Sequence, residues 1–236
     1  MQVFNKLKTL SESGNILRVV IGILVFGSVW GLVEATLGGA LHLIHFAYKG
    51  AIAGGFGMAI MATFVVMYRR PRLVFWIGVI AALFKPLSAV IYGQPIFAPF
   101  VVNPASAILL EALAFTVVVS LLFKGFESSI KARIAAGISA GYLSAILYAI
   151  LASSLGMGNW AFMGVTERVT TTLTNGTALA VVGTCLLLLG YVVGTKLRPD
   201  FWQLMTVKPK AFYASNIAIA ALCWIVAAVG FKQGLW

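Results

Sequence analysis

The chain has 236 residues, 61% of them hydrophobic and only 10% charged, and a formal net charge of +11. A soluble domain carries about 25% charged residues, so too little polar surface is present to cover a water-facing globule, and lipid must be the solvent for most of the chain. The excess of Lys and Arg does not point to nucleic acid, because these residues sit in short loops between apolar runs rather than on one face or in a tail.

In chain order, the first 14 residues place Val3, Phe4, Leu7 and Leu10 on one helical face with Lys6 and Lys8 beside it. A short interfacial helix and a frayed terminus both fit. No cleavable signal peptide is expected, since the first apolar run is long enough to span and no small-residue cleavage site follows it. A span needs about 20 apolar residues at a rise of about 1.5 Å each. Seven such runs are predicted, at Ile16–Gly38, Gly50–Tyr68, Leu73–Tyr92, Pro104–Phe123, Ile134–Leu155, Val169–Thr195 and Phe212–Phe231. Alternating strands of about ten residues are not seen, so an all-α polytopic bundle is expected and a β-barrel is not. Residues 1–236 read as one transmembrane domain without linker, repeat or soluble part.

Loop charges give the orientation. Thirteen of the 17 Lys and Arg residues fall in one set of connections, from Lys6 and Arg18 through Arg69–Arg72 and Lys124–Arg133 to Lys196–Lys210. Only Lys49, Arg168 and Lys232 fall in the other set, and Lys85 lies within a span. This bias predicts a cytoplasmic N-terminus in a multi-pass protein of the cell (plasma, or inner) membrane. With seven spans it puts the C-terminus outside.

Three ionisable residues interrupt the spans: Glu34, Lys85 and Glu111. Each costs about 2.5–3.5 kcal/mol at a helix centre, which makes such residues functional candidates by default. Counting along each helix places all three in the outer half, with Lys85 and Glu111 at one depth. These two are expected to neutralise each other and leave Glu34 for a ligand or proton; a purely structural ion pair is the bland alternative. The outer half of the sixth span holds Thr170, Thr171, Thr172, Thr174, Asn175 and Thr177 above an apolar inner half, and the fifth offers Tyr148, Ser153 and Ser154. That pattern predicts a cavity open to the outside, with Trp30, Thr171, Thr174 and Asn175 as further lining candidates.

Helix breaks are expected at the same level. Pro86 removes a backbone bond and frees the carbonyl near Ala82. Asn103 and Pro104 read as an N-cap and first-turn proline. The uncharged loop 93–103 is a candidate lid or lies on headgroups. His42 and His45 share a helical face near Glu34, but no metal frame supports a site and surface histidines are the better reading. Cys185 and Cys223 lack any CxxC or Cys/His spacing and read as small packing residues. Small-residue ridges run along the first span (Gly27, Gly31, Ala35, Gly39), the second (Gly50, Gly54, Ala62, beside Ala51, Gly55 and Ala59) and the fifth (Ala136, Ala140, Ser144, beside Gly137, Gly141 and Ala145). They allow close helix approach within the bundle or to a partner.

The run from Gly31 and Glu34 through Gly38 to His42, then Lys85, Pro86 and Ser88, then Pro104 through Ile108 to Glu111, resembles the substrate-binding (S) components of energy-coupling-factor (ECF) transporters over the first four spans. The resemblance implies a small helical bundle that binds a vitamin, cofactor precursor or metal ion in an outward-facing cavity. It also implies pairing with a transmembrane coupling subunit and two cytoplasmic ATPases. Two features depart from the family. Its common form has six helices with both termini inside, and its nickel- and cobalt-specific members begin Met-His where this chain has Met1 and Gln2.

The leading expectation is therefore a membrane uptake component binding a small molecule, with Glu34, Lys85 and Glu111 at the site, lipids around it, and no metal, cofactor, nucleic-acid partner or catalytic residue. The chain has no phosphate-binding loop, so energy would come from partner ATPases or an ion gradient. A non-catalytic or proton-path subunit of a larger membrane complex is the alternative. An intramembrane enzyme ranks last, since no Ser/His pairing or paired-carboxylate motif is present.

Overall fold

Each apolar run becomes a helix, because hydrocarbon offers backbone N–H and C=O groups no partner outside their own segment. A computed structural model describes residues 2–43 and 48–234, with the side chains of 2–15, 39, 42 and 43 outside the description. The helices are α1 (Gln2–Leu43), α2 (Lys49–Tyr68), α3 (Val74–Ala82), α4 (Phe84–Ile91), α5 (Pro99–Leu121), α6 (Phe123–Ser128), α7 (Ile130–Ser154), α8 (Val165–Val207) and α9 (Pro209–Lys232). No strand occurs among the described residues. Seven segments are long and apolar enough to cross a membrane, with α3 and α4 joined in the third, so the protein is a polytopic helical bundle. The expected interfacial face of the first 14 residues and the paired histidines, His42 and His45, fall on side chains or residues outside those described.

Two element ends differ most from expectation. The fourth span starts at Pro99, with Ala98 in extended conformation before it, and Pro104 lies inside the helix. Asn103 is therefore not its N-cap: Pro99 already supplies the first-turn proline, and Pro104 costs α5 only the bond to the Phe100 carbonyl. The sixth span continues past Thr195 to Val207. At about 1.5 Å per residue α8 is roughly 64 Å long, twice the hydrocarbon thickness of about 30 Å. Its extension is held by Phe201, which packs edge-on against Tyr68 at 5.4 Å and Phe212 at 4.9 Å.

α2 is the central helix, with 14 of its 20 residues buried. It packs against α1, α5 and α8, while α9, α1, α3, α5, α7 and α8 follow one another around it. Its small residues answer to that position. The Trp30 ring lies where a side chain on Gly57 would stand, and Leu186 and Val182 crowd Gly55. The seam with α8 is closest. A side chain on Gly190 would strike the Ala59 carbonyl, and Thr63 Oγ1 stands 2.9 Å from both Ala59 O and Gly190 O. The ridges foreseen on α1 and α7 are also used inside the bundle. Gly27 and Gly31 meet Ile80 and Phe84, and Gly137 and Gly141 meet Thr184 and Ala180. The ridge that organises α8 is Gly176, Ala180, Gly183, Leu187, Gly190 and Gly194, all buried, alternating steps of four and three.

The end of the bundle that carries most loop cations is tied together by paired groups. Arg69 Nε and Nη2 each donate to a Glu127 carboxylate oxygen at 2.6 Å. Arg133 donates to the carbonyls of Phe126 and Glu127 and lies 3.5 Å from the Tyr191 ring centre, and the Tyr191 hydroxyl donates to the Glu127 carbonyl.

Candidate functional site

The third span breaks at Leu83, between α3 and α4. Pro86 has no N–H to give the Ala82 carbonyl, and its ring would press on that carbonyl in an unbroken helix. The break puts Lys85 in the first turn of α4, where the helix dipole is positive and an ammonium needs a nearby anion. Ser88 Oγ donates to the Lys85 carbonyl at 2.7 Å and ties the turn together. At the other end of α4, Gly93 adopts φ +64° and Gln94 N–H reaches back to Ala89 O at 2.8 Å, a left-handed close that glycine allows.

A cavity of about 400 Å³ opens beside this kink, at the end of the bundle opposite the Arg69–Glu127 pair. Glu34 and Gly38 of α1, Lys49 and Gly54 of α2, Lys85 and Ser88 of α4, Pro104 and Glu111 of α5 and Phe231 of α9 face it. The three charges that sequence singled out thus share one cavity, although they come from three different spans. Glu34 and Glu111 are buried, at 8% and 6% exposure, and Lys85 is half-buried.

The expected pairing of Lys85 with Glu111 is not what forms. The charged neighbour of Lys85 is Glu34, and the charged neighbour of Glu111 is also Glu34. Equal depth was not enough: no Lys85–Glu111 ion pair forms among the described residues. Neither glutamate comes within 4 Å of the ammonium in an ion pair among the described residues. Glu111 Oε1 is buried without a hydrogen-bond partner. Its carboxylate fits only because α2 has no side chain there: a methyl group on Gly54 would lie 2.7 Å from Glu111 Oε2.

Four other candidates lie elsewhere. Trp30 is fully buried in the main core and packs on Gly57 beneath the cavity rather than lining it, with its side chain interacting with the Glu34 carboxylate one turn away. Thr171, Thr174 and Asn175 do not line it either; Thr174 and Asn175 are exposed on the outside of α8 and Thr171 is half-exposed. The Gly176–Gly194 ridge fixes the face that α8 turns inward, and these residues are off it. The threonines around them meet lipid by bonding their own helix: the hydroxyls of Thr170, Thr172, Thr174 and Thr177 donate to the carbonyls four residues back at 2.7–2.9 Å. Ser153, Ser154 and Thr172 line a separate depression with Arg168 between α7 and α8. Cys223 is buried in the α1–α4–α9 cluster, while Cys185 is exposed on α8 and does not pack as expected.

Sequence reasoning missed Lys49, which it counted as a loop charge, and Phe231. Lys49 heads the small-residue run of α2, and that run is the signal that its helix lies at the centre. Beneath the mouth, Phe84 packs on Trp224 with centroids 4.2 Å apart, and Trp224 Nε1 donates to Ser28 Oγ at 3.0 Å, so α9 forms a firm wall against α1 and α4.

A buried acid without a partner, a Lys–Glu couple held apart and an open cavity together suit a polar ligand, whose own donor would satisfy Glu111. No group of three or more His, Cys, Asp or Glu residues suited to a metal occurs among the described residues. Comparisons of the chain with protein-family models, curated proteins and solved structures found no match.

Proposed function

We propose that this chain is a membrane uptake component that binds a small polar molecule, of the vitamin or cofactor-precursor kind, in the Glu34–Lys85–Glu111 cavity. The observation that carries the reading is Glu111, a buried acid lining an open cavity of about 400 Å³, one of whose carboxylate oxygens has no partner. Burying a polar group without a partner costs about 1–3 kcal/mol, and a ligand N–H or ammonium at that point removes the cost. Glu34 and Lys85, facing each other without contact, would hold the donor and acceptor groups of the same molecule. The cavity volume lies at the lower end of the roughly 300–1,000 Å³ of small-molecule sites.

The likeness of the residues around Glu34, Lys85 and Glu111 to ECF S components supports the same reading. It adds a transmembrane coupling subunit and two ATPases as the source of energy, in a plasma membrane with the cavity outside. In this reading the chain is a binding protein and catalyses nothing.

The test is to purify the chain gently, denature it and identify released small molecules by mass spectrometry, beside Glu111→Gln and the paired Glu34→Gln/Lys85→Met variant. One compound recovered from the wild type and lost from both variants, with helical circular dichroism unchanged, is expected. Recovery of the same compound from all three, or of none from any, overturns the proposal and favours a structural or proton-path subunit.

A further inference from the structure

The cation-rich end holds two cavities that join. The first, about 440 Å³, is an apolar groove between α1 and α3, walled by Val20, Ile23 and Leu24 on one side and Leu73, Trp76 and Ile80 on the other, with Arg70 at its end. The second, about 430 Å³, is lined by Arg69, Arg70, Pro71, Arg72, Ser120 and Phe123. Arg70 and Leu73 belong to both, so the groove runs into the basic pocket. Residues 16–24 of α1 give the groove a length of roughly 12 Å at about 1.5 Å per residue, enough for the upper part of an acyl chain.

The polar groups in the basic pocket are unequally satisfied. Arg69 is engaged by Glu127. Arg70 and Arg72 are exposed, and their side chains make no hydrogen bond or ion pair among the described residues. Ser120 Oγ, in the same pocket, is a buried atom with no hydrogen-bond partner. Two uncompensated guanidinium groups and an idle hydroxyl around one space make a receptor for phosphate oxygens. The adjoining groove adds what a free phosphate lacks, an apolar wall. Trp76, half-exposed at the groove, has the amphipathic ring found where hydrocarbon meets headgroup.

We infer that this crevice is a binding site for one anionic phospholipid of the cation-rich leaflet. Its phosphate lies between Arg70, Arg72 and Ser120 Oγ, and an acyl chain fills the α1–α3 groove. The two arginines carry more positive charge than a zwitterionic headgroup can neutralise, so a net-negative lipid is selected, as in other basic pockets between membrane helices. The site is separate from the Glu34 cavity, at the other end of the bundle.

The test uses the full chain in detergent, with native mass spectrometry counting bound phosphatidylglycerol and phosphatidylcholine of identical acyl chains. Wild type should retain one phosphatidylglycerol with a preference on the order of tenfold or more. Arg70→Gln/Arg72→Gln should erase the preference, Ser120→Ala should weaken it a few-fold, and Val20→Trp, which fills the groove, should reduce binding of both lipids. Both Arg70 and Val20 are exposed, so folding is preserved. Equal retention of the two lipids, the result expected if the groove seats a partner's helix, overturns the inference. So does a preference that survives the double variant. Glycerol phosphate, a headgroup without chains, should not displace the lipid; displacement at equal concentration would make the site one for soluble phosphates.

Discussion

Two charged clusters at opposite ends of the bundle handle their charge in opposite ways. At the cation-rich end, Arg69, Glu127, Arg133 and Tyr191 satisfy one another through two charge-assisted bonds, carbonyl bonds and a ring contact. At the far end, Glu34, Lys85 and Glu111 surround a cavity without one close ion pair among the described residues, and Glu111 keeps an unpartnered oxygen. A charge retained for packing alone tends to find its partner in the fold, because leaving it alone in low dielectric is costly. Charges held apart around open space are the ones a ligand would complete. The contrast separates a structural network from a candidate binding one without appeal to any relative.

Lys85→Met alone removes the cation that faces Glu34 and should lower stability in reversible unfolding, by less than the ~3–5 kcal/mol of a contacting buried pair. Adding Glu34→Gln should recover most of that loss, whereas adding Glu111→Gln should not. Recovery by Glu111→Gln instead would restore the pairing that depth alone suggests. Next, Glu111→Leu should raise stability by about 1–4 kcal/mol, as when a buried charge gives way to a packed apolar group, while ligand recovery disappears. A loss of stability would move Glu111 into the structural class.

At the opposite end, Arg133→Ala should cost about 1–2 kcal/mol through its carbonyl bonds and the Tyr191 ring, with ligand recovery unchanged. Smallest of all is Glu127→Ala. The Arg69–Glu127 pair is well exposed, so removing the carboxylate should shift the melting temperature only slightly and chiefly at low salt, because solvent and ions screen such pairs.

Much of this was legible in the residues. The seven spans follow from run length against membrane thickness, and the alternation of Arg- and Lys-rich connections agrees with their number. Pro86 announced the break at Leu83. The α8 ridge from Gly176 to Gly194 was also readable as alternating steps of four and three. Had it been used, it would have turned Thr174 and Asn175 away from the interior. The threonine cluster misled because hydroxyls count as polar in a sequence even when most of them donate to their own helix.

What the sequence determined by itself is position along one axis. Helical rise is constant, so counting residues from a membrane edge gives depth, and it put Glu34, Lys85 and Glu111 together in one half. What only the tertiary structure decided is direction around each helix and therefore company. The charged neighbour of Lys85 is Glu34 rather than Glu111, Trp30 lies beneath the cavity rather than on its wall, and Gly54 leaves the space that the Glu111 carboxylate fills. Depth is a property of one segment, whereas azimuth is set by the packing of all seven at once, with α2 lodged among its neighbours and α8 pressed on it through its glycines.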